Sequence, residues 1–365
     1  MDNKTKIIVL ILGVLVVAIV GVNVFLAPSS GDAANAQNIT DMANRTVEIP
    51  GNVGRVVATS PPMTTIMYML APDKLVGLNF QWTDAELEFV PSQYKGINVV
   101  GGWFGSQDGN YEEFIASEPD IVIESVDESG DYSTIQERQE KFGTIPVVGV
   151  LDDTNVSTMH TSISFMGKII GADDKANQLN DFNQKNLDKV NQVTSSLSES
   201  DKKTVYYAEG EDGLSTDGSG STHGQLIDLC GGINVAELPT DSNSSSVQVS
   251  IEQVMSWNPD VIICNDPDFY NGIYNDSNWA SINAVKNHQV YCSPQSPFKW
   301  FDRPTGANMI MGVPWTAKVI YPDKYTDLHL KDLTKEFYSN FYHYDLSDQQ
   351  VTTLLNQSGL SNDHM

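Results

Sequence analysis

The chain has 365 residues, 40% of them hydrophobic and 19% charged, an ordinary globular composition with room for two cores. Against 21 Lys and Arg stand 47 Asp and Glu, a formal net charge of −26. With no basic stripe to neutralise phosphates, nucleic acid is excluded as a partner, and the acidity suits solubility in an ion-rich exterior.

Lys4 and Lys6 precede Ile7 to Ala27, an apolar run of 21 residues broken only by Gly13, Gly21 and Asn23. It is long enough to cross a hydrocarbon core of about 30 Å, and its basic flank sets the N-terminus inside. The body of the protein is therefore expected outside the membrane. Ala34-Asn35-Ala36 resembles a cleavage site, so a retained anchor and a cleaved signal both stand, the length of the run favouring the anchor. No Cys lies near it, which excludes a bacterial-type lipid anchor. Residues 1–37 are read as anchor or signal plus a small-residue linker.

Residues 38–155 read as a first α/β lobe. Arg45 to Pro50 alternates like a strand, and Arg55 to Ala58 is a buried one. A helix over Met63 to Leu70 follows, then strands over Leu75–Leu78 and Val99–Trp103, a strand after Pro119, and Pro146 to Val150. Residues 156–200 link onward through a helix from His160 to Ile170 and a longer one from Asp173 to Leu197. The latter places Ala176, Leu179, Phe182, Leu187, Val190, Val193 and Leu197 mostly three or four apart with no Gly or Pro, which predicts one rigid amphipathic strut.

Residues 201–365 read as a second α/β lobe with terminal helices. Thr204 to Tyr207 opens it as a strand, followed by the Gly-rich turn Asp217 to Gly224 and a helix from Gln225 to Cys230. Ser250 to Ile263 gives helix and strand, Gln289 to Cys292 a further strand, and Thr305 to Ile320 a helix with Pro314 inside it. Leu330 to Leu355 reads as more amphipathic helix.

The two lobes share a phrase. EEFIASEPDIVIES from Glu112 and EQVMSWNPDVIICND from Glu252 match at an offset of 140 residues, Pro119 with Pro259 and Asp120 with Asp260. In each, a short helix is stopped near Pro, an Asp turn follows, and an unbroken apolar run predicts a strand of a parallel sheet. The expected fold is thus α/β: two Rossmann-like lobes joined by one long helix, with a ligand cleft between them. Ligands of open α/β sheets lie beyond the carboxyl ends of the strands. The residues to inspect there are Phe80, Gln81, Trp82, Trp103, Phe104, Tyr207, Asn265, Trp300 and Arg303. The Arg303 fork suits a carboxylate, catecholate or oxyanion, with an ion pair to Asp302 as the plain alternative; the aromatics suit a macrocycle or chelate, with core packing as theirs.

RTVEIPGNVGRVVATSPP, EFIASEPDIVI, LSTDGSGSTHGQLIDLCGGINVAE, VSIEQVMSWNPDVII and WASINAVKNHQVYCSPQSPFKWFDRP occur here in one order over roughly residues 45 to 355. In these segments the chain resembles the substrate-binding proteins of iron-siderophore, haem and vitamin B12 ABC importers. The resemblance implies a receptor without catalysis or cofactor that captures a metal chelate (ferric siderophore, haem or corrinoid) or an oxyanion such as molybdate or tungstate. It implies delivery to an ABC permease and ATPase by a monomer. Family members often dock the permease through two Glu residues; the matching positions here are Thr65 and Gln225, which puts that mode of docking in doubt.

The remaining signals are weaker. His160, His223, His288, His329, His343 and His364 are scattered without H-x-H, HExxH or C-x-x-C, so no bare-metal site is expected. Cys264 and Cys292 fall in neighbouring predicted strands and can pair in an exported chain, leaving Cys230 free; three buried thiols are the alternative. No G-x-S-x-G elbow or close Ser/His/Asp grouping supports an enzyme, and an anchored sensor remains a third reading.

Overall fold

The structure is a computed structural model that describes residues 36–127, 132–238 and 246–365. The apolar run from Ile7 to Ala27 lies outside the described residues, and no helix among them is long and apolar enough to cross a membrane.

Strands β1 (Gln37–Thr40) and β2 (Thr46–Ile49) pair antiparallel at the start of the first lobe. Its sheet is parallel, ordered β3 (Val56–Ala58), β4 (Ile121–Val126), β5 (Val147–Leu151), with Val57 beside Val122 and Val122 beside Val147. All of β3 and most of β4 and β5 are buried, as the unbroken apolar runs require. The strands expected at Leu75–Leu78 and Val99–Trp103 are single bridges, Val56 with Leu75 and Leu78 with Val99. Gly101 turns to a φ of 81°, which breaks the ladder, and the Asn79 amide takes over by donating to Ala58 O and Gly101 O at 2.9 Å each.

The second sheet is also parallel, ordered β11 (Val290–Cys292), β10 (Val261–Cys264), β6 (Thr204–Ala208), β8 (Ile233–Asn234). Short β7 (Ser215–Thr216) and β9 (Val247–Gln248) pair antiparallel at its side. All three cysteines are buried, free thiols, and Cys264 faces Cys292 directly across the β10–β11 ladder.

The internal repeat is structural. Glu118 and Asn258, each before its proline, both adopt left-handed backbone with φ of 47° and 46°. Asp120 Oδ2 then accepts from the Gly54 and Arg55 amides, and Asp260 Oδ2 accepts from the Thr204 amide and hydroxyl. Each Asp thereby staples the start of one strand to the start of its neighbour, β4 to β3 and β10 to β6.

The long helix runs Asp173–Thr194, 22 residues or about 33 Å, and ends three residues before the expected Leu197. It is no free-standing strut. It lies on helix His160–Ile170 and on helix Met309–Ile320, and buries Ala176, Leu179, Phe182 and Val190 in a core continuous through both lobes. The C-terminal part is two helices, Leu330–Phe337 and Asp348–Gln357, rather than one. The first winds on as a wide turn over Tyr338–Tyr342 and stops where His343 takes a φ of 57°.

One close approach ties helix Met309–Ile320 to the loop that carries Trp300: a Cβ on Gly312 would collide with Trp300 O. Replacing Gly312 with Ala is expected to cost about 1–3 kcal/mol, outweighing the gain in helix propensity of about 0.5–1 kcal/mol. Chemical denaturation measures it; an unchanged midpoint would show that the loop carrying Trp300 does not press on the helix.

Candidate functional site

The site grows from the tips of the second sheet. β6 delivers Tyr207 and, just past its end, Glu209; β10 delivers Asn265; the Gly-rich turn delivers Asp217 and His223; the loop after β11 delivers Asp302 and Arg303. Arg303 is the hub. Its Nη2 lies 2.8 Å from Glu209 Oε1 and 2.9 Å from Asp217 Oδ2, its Nε 3.3 Å from Asp302 Oδ2, and its Nη1 3.3 Å from His223 Nε2. His223 Nδ1 is 2.8 Å from Asp302 Oδ1, and the Tyr207 hydroxyl donates to Asp302 Oδ2 at 3.1 Å. The Asn265 amide donates to the Tyr207 oxygen in turn. Arg303 holds a left-handed φ of 59°, a conformation this clamp of carboxylates sustains.

The electrostatics follow from burial. Asp302 is wholly enclosed and Glu209 nearly so, whereas the Arg303 side chain keeps 36% of its surface open. Burial, then a hydrogen bond to Asp217, pushes the Glu209 carboxyl up to about 8, and the nearby Arg303 charge only partly opposes this. Of its two oxygens, Oε1 accepts from Arg303 Nε at 2.9 Å and Oε2 is buried without a further hydrogen-bond partner among the described residues. For His223, burial disfavours the charge, but the hydrogen bond to Asp302 and its carboxylate charge raise the imidazole above its usual range. In its neutral form Nδ1–H donates to Asp302 and Nε2 accepts from Arg303, so protonation gives up the Arg303 contact. Ligand atoms of Asp217, His223 and Asp302 lie within 4.8 Å of one another, the spacing of a metal site. The Arg303 guanidinium contacts all three residues, so a cation already occupies their field.

Facing this, the first lobe brings its own strand tips. Ser60 and Ser125 hydroxyls hydrogen-bond at 2.6 Å, and burial, with the Asp153 charge adding to it, pushes Asp152 up to about 6. Two ties hold the lobes at this boundary. Gln225 Oε1 accepts from the Val156 amide at 3.0 Å while its Nε2 donates to Thr154 O at 2.8 Å, and Gly306 packs on Pro62.

Of the residues singled out by sequence, Tyr207, Asn265 and Arg303 come together in this cluster. Phe80 and Phe104 pair edge to face at 6.4 Å, half-buried on the first lobe, with Gln81 exposed beside them. Trp103 lies elsewhere, half-buried, with the Arg138 guanidinium 3.7 Å over its ring and Tyr111 at 4.8 Å. Trp82, Tyr207 and Trp300 need correction as open stacking platforms, all three being buried. Trp82 is enclosed between Tyr68 and Phe298 and Trp300 is fully buried near Tyr338, because large apolar rings at the meeting of two lobes are the ones water leaves first.

The docking positions are corrected as well. Thr65 is buried with its hydroxyl on Pro61 O, and Gln225 is spent tying the lobes together. Glu209 and Asp217 escaped sequence reasoning, and His223, one of the scattered histidines, is held between Asp302 and Arg303. Glu209 stands just beyond β6, where the rule about strand ends would have found it; nothing local marks Asp217, which lies 86 residues from Arg303.

Two parallel-sheet lobes with facing strand tips define a two-lobe solute receptor. A family model described as "Periplasmic binding protein" matches residues 56–297, and the chain belongs to that family. It is 27% identical to the ABC transporter substrate-binding lipoprotein YvrC of Bacillus subtilis, over 79% of this chain and 87% of that protein. It is 26% identical to the molybdate-binding protein MolA of Haemophilus influenzae, over 83% and 90%. An ABC transporter solute binding protein from Sulfurospirillum deleyianum superposes with a TM-score of 0.80 at 28% identity, covering 87% of this chain and 99% of that one. The chain is thus an extracytoplasmic solute-binding protein of the ABC-transporter type, and the members of its family bind substrates and are not enzymes.

The raised carboxyl and imidazole set a pH dependence. Both groups hold their protons more tightly folded than unfolded, so their stabilisation is complete in acid. For Glu209 it fades as pH rises from its ordinary 4.5 through about 8. Glu209→Gln is expected to flatten that part of the stability profile, read from urea midpoints between pH 5 and pH 8; a slope equal to wild type would show that Glu209 does not hold the proton. Asp302→Asn should lower the His223 pKa, measured by NMR titration, and cost about 3–5 kcal/mol because it strips a buried partner from Arg303.

Proposed function

We propose that the protein captures a chelated metal, a ferric siderophore, haem or corrinoid, outside the membrane and passes it to an ABC permease and ATPase. The observation that carries this reading is the frame of Glu209, Asp217 and Asp302 around the one guanidinium of Arg303. A bare oxyanion offers only acceptors and negative charge, so at Arg303 it would also meet the Asp217 and Asp302 carboxylates that the guanidinium already serves. A metal chelate whose periphery carries amide or hydroxyl groups offers donors to those carboxylates and acceptors to Arg303. No catalysis and no resident cofactor are needed. In this reading the apolar N-terminal segment keeps a monomeric receptor at the membrane surface.

A second reading, a molybdate or tungstate receptor, is favoured by the similarity to the molybdate-binding protein over 83% of the chain. For that ligand Arg303 must leave part of its carboxylate frame.

Thermal unfolding of the full chain with ferric catecholates and hydroxamates, haemin, cobalamin, molybdate and tungstate separates the two. A true ligand at 100 times its dissociation constant is expected to add about 2.7 kcal/mol. Stabilisation by a chelate and none by the oxyanions supports the first reading; the reverse pattern sinks it in favour of the second. For the ligand that binds, Arg303→Lys is expected to weaken affinity about tenfold or more, since an ammonium cannot replace the fork. Equal affinity would remove Arg303 from the site.

A further inference from the structure

The second sheet has two unlike faces. Tyr207, Ile263 and Tyr291 point into the core shared with the first lobe, whereas Ala208, Ile262, Cys264, Val290 and Cys292 point into a separate core with Val254, Phe269 and Trp279. Cys264 and Cys292 are therefore on the same face, and the register of β10 and β11 sets them directly opposite each other. Neighbouring strands lie about 4.8 Å apart, within the Cα separation of about 4.4–6.8 Å that a disulfide spans. The thiols also sense each other: burial first, then the neighbouring Cys292 thiol, raises the Cys264 thiol well above its ordinary range. Cys230 belongs to the other core, with its thiol on Val313 O. It has no part in this pair.

Cys292, though buried, borders open space. With Ser293, Tyr270, Glu88 and Gln357 it lines a cavity of about 360 Å³ between the lobes and the C-terminal helix.

We propose that Cys264 and Cys292 are joined as a disulfide in the exported protein, a modification site that staples the tips of β10 and β11. The oxidant is a disulfide, either of an extracytoplasmic thiol oxidoreductase or of a small oxidised thiol. One cysteine thiolate attacks it, forming a mixed disulfide and releasing a thiolate of the oxidant. The second cysteine thiolate then attacks the mixed disulfide, closing the Cys264–Cys292 bond and releasing the other thiolate. The two protons lost by the cysteines go to the oxidant, which leaves reduced by two electrons.

The staple sits one residue below the ligand site. Asn265, next to Cys264, donates to Tyr207, and Ser293, next to Cys292, accepts through its hydroxyl from the Phe301 amide at 3.0 Å. Phe301 precedes the Asp302–Arg303 pair. Oxidation thereby holds the spacing of the two strands that position the Arg303 frame, and reduction loosens it.

The test uses the full chain, reduced and then equilibrated with glutathione buffers of rising oxidation, alkylated in denaturant and mapped by mass spectrometry. The expected product links the Cys264 and Cys292 peptides and leaves Cys230 alkylated. Three alkylated cysteines in the most oxidising buffer, or a link through Cys230, would overturn the proposal. As an independent measurement, reductant should lower the unfolding midpoint of the oxidised wild type and leave that of Cys292→Ser where it is. The same response from both proteins would equally overturn it.

Discussion

The helix Asp173–Thr194 lies across one helix of each lobe, and that packing joins the two lobes along one core. Its buried face meets helix His160–Ile170 from the side of the first sheet and helix Met309–Ile320 from the side of the second, in one unbroken core. Two asparagines are buried with it: the Asn183 amide donates to Val156 O at 2.7 Å and the Asn186 amide to Phe182 O at 2.9 Å. Val156 also donates to Gln225, so the helix, the link out of the first lobe and the start of a second-lobe helix share one polar joint. Opening the lobes would expose this apolar core at a cost of several kcal/mol, so the cleft is held close to a single width.

A cleft of set width needs a site that is organised before the ligand arrives, and the Arg303 cluster has that character. A half-open arginine on a left-handed backbone would wander among rotamers in solvent; here Glu209, Asp217, Asp302 and His223 fix it from four directions. Asp302 is completely buried and would be costly alone, but Tyr207, His223 and Arg303 all supply positive hydrogen-bonding edges to it. The Arg303 side chain nonetheless keeps 36% of its surface open. Arginine suits this position better than lysine, since a planar fork can serve four neighbours at once and remain charged.

Much of this was legible in the chain. Unbroken apolar triplets mark strands buried on both faces, and Val56–Ala58, Ile121–Ile123 and Val261–Ile263 form them in parallel register. The repeated Pro-Asp phrase is local in its left-handed residue and its proline, whereas its carboxylate caps the start of a neighbouring strand 66 and 56 residues earlier in the chain. Loose elements were less legible. Leu75–Leu78 and Val99–Trp103 have strand-like text, yet Gly101 and the bridging Asn79 decide their backbone from outside the pattern.

By itself, then, the sequence determined the two α/β lobes, the long helix between them and the strand tips at which a ligand belongs, because hydrophobic period and turn chemistry act over short range. Tertiary structure alone decided which tip residues stay open. Trp82 and Trp300 vanish into the seam between lobes, Gln225 becomes a tie, and Glu209, Asp217 and His223 gather around Arg303 from 94, 86 and 80 residues away. Burial and charge pairing depend on what the other lobe and the distant loops bring to the same place, and no local pattern carries that information.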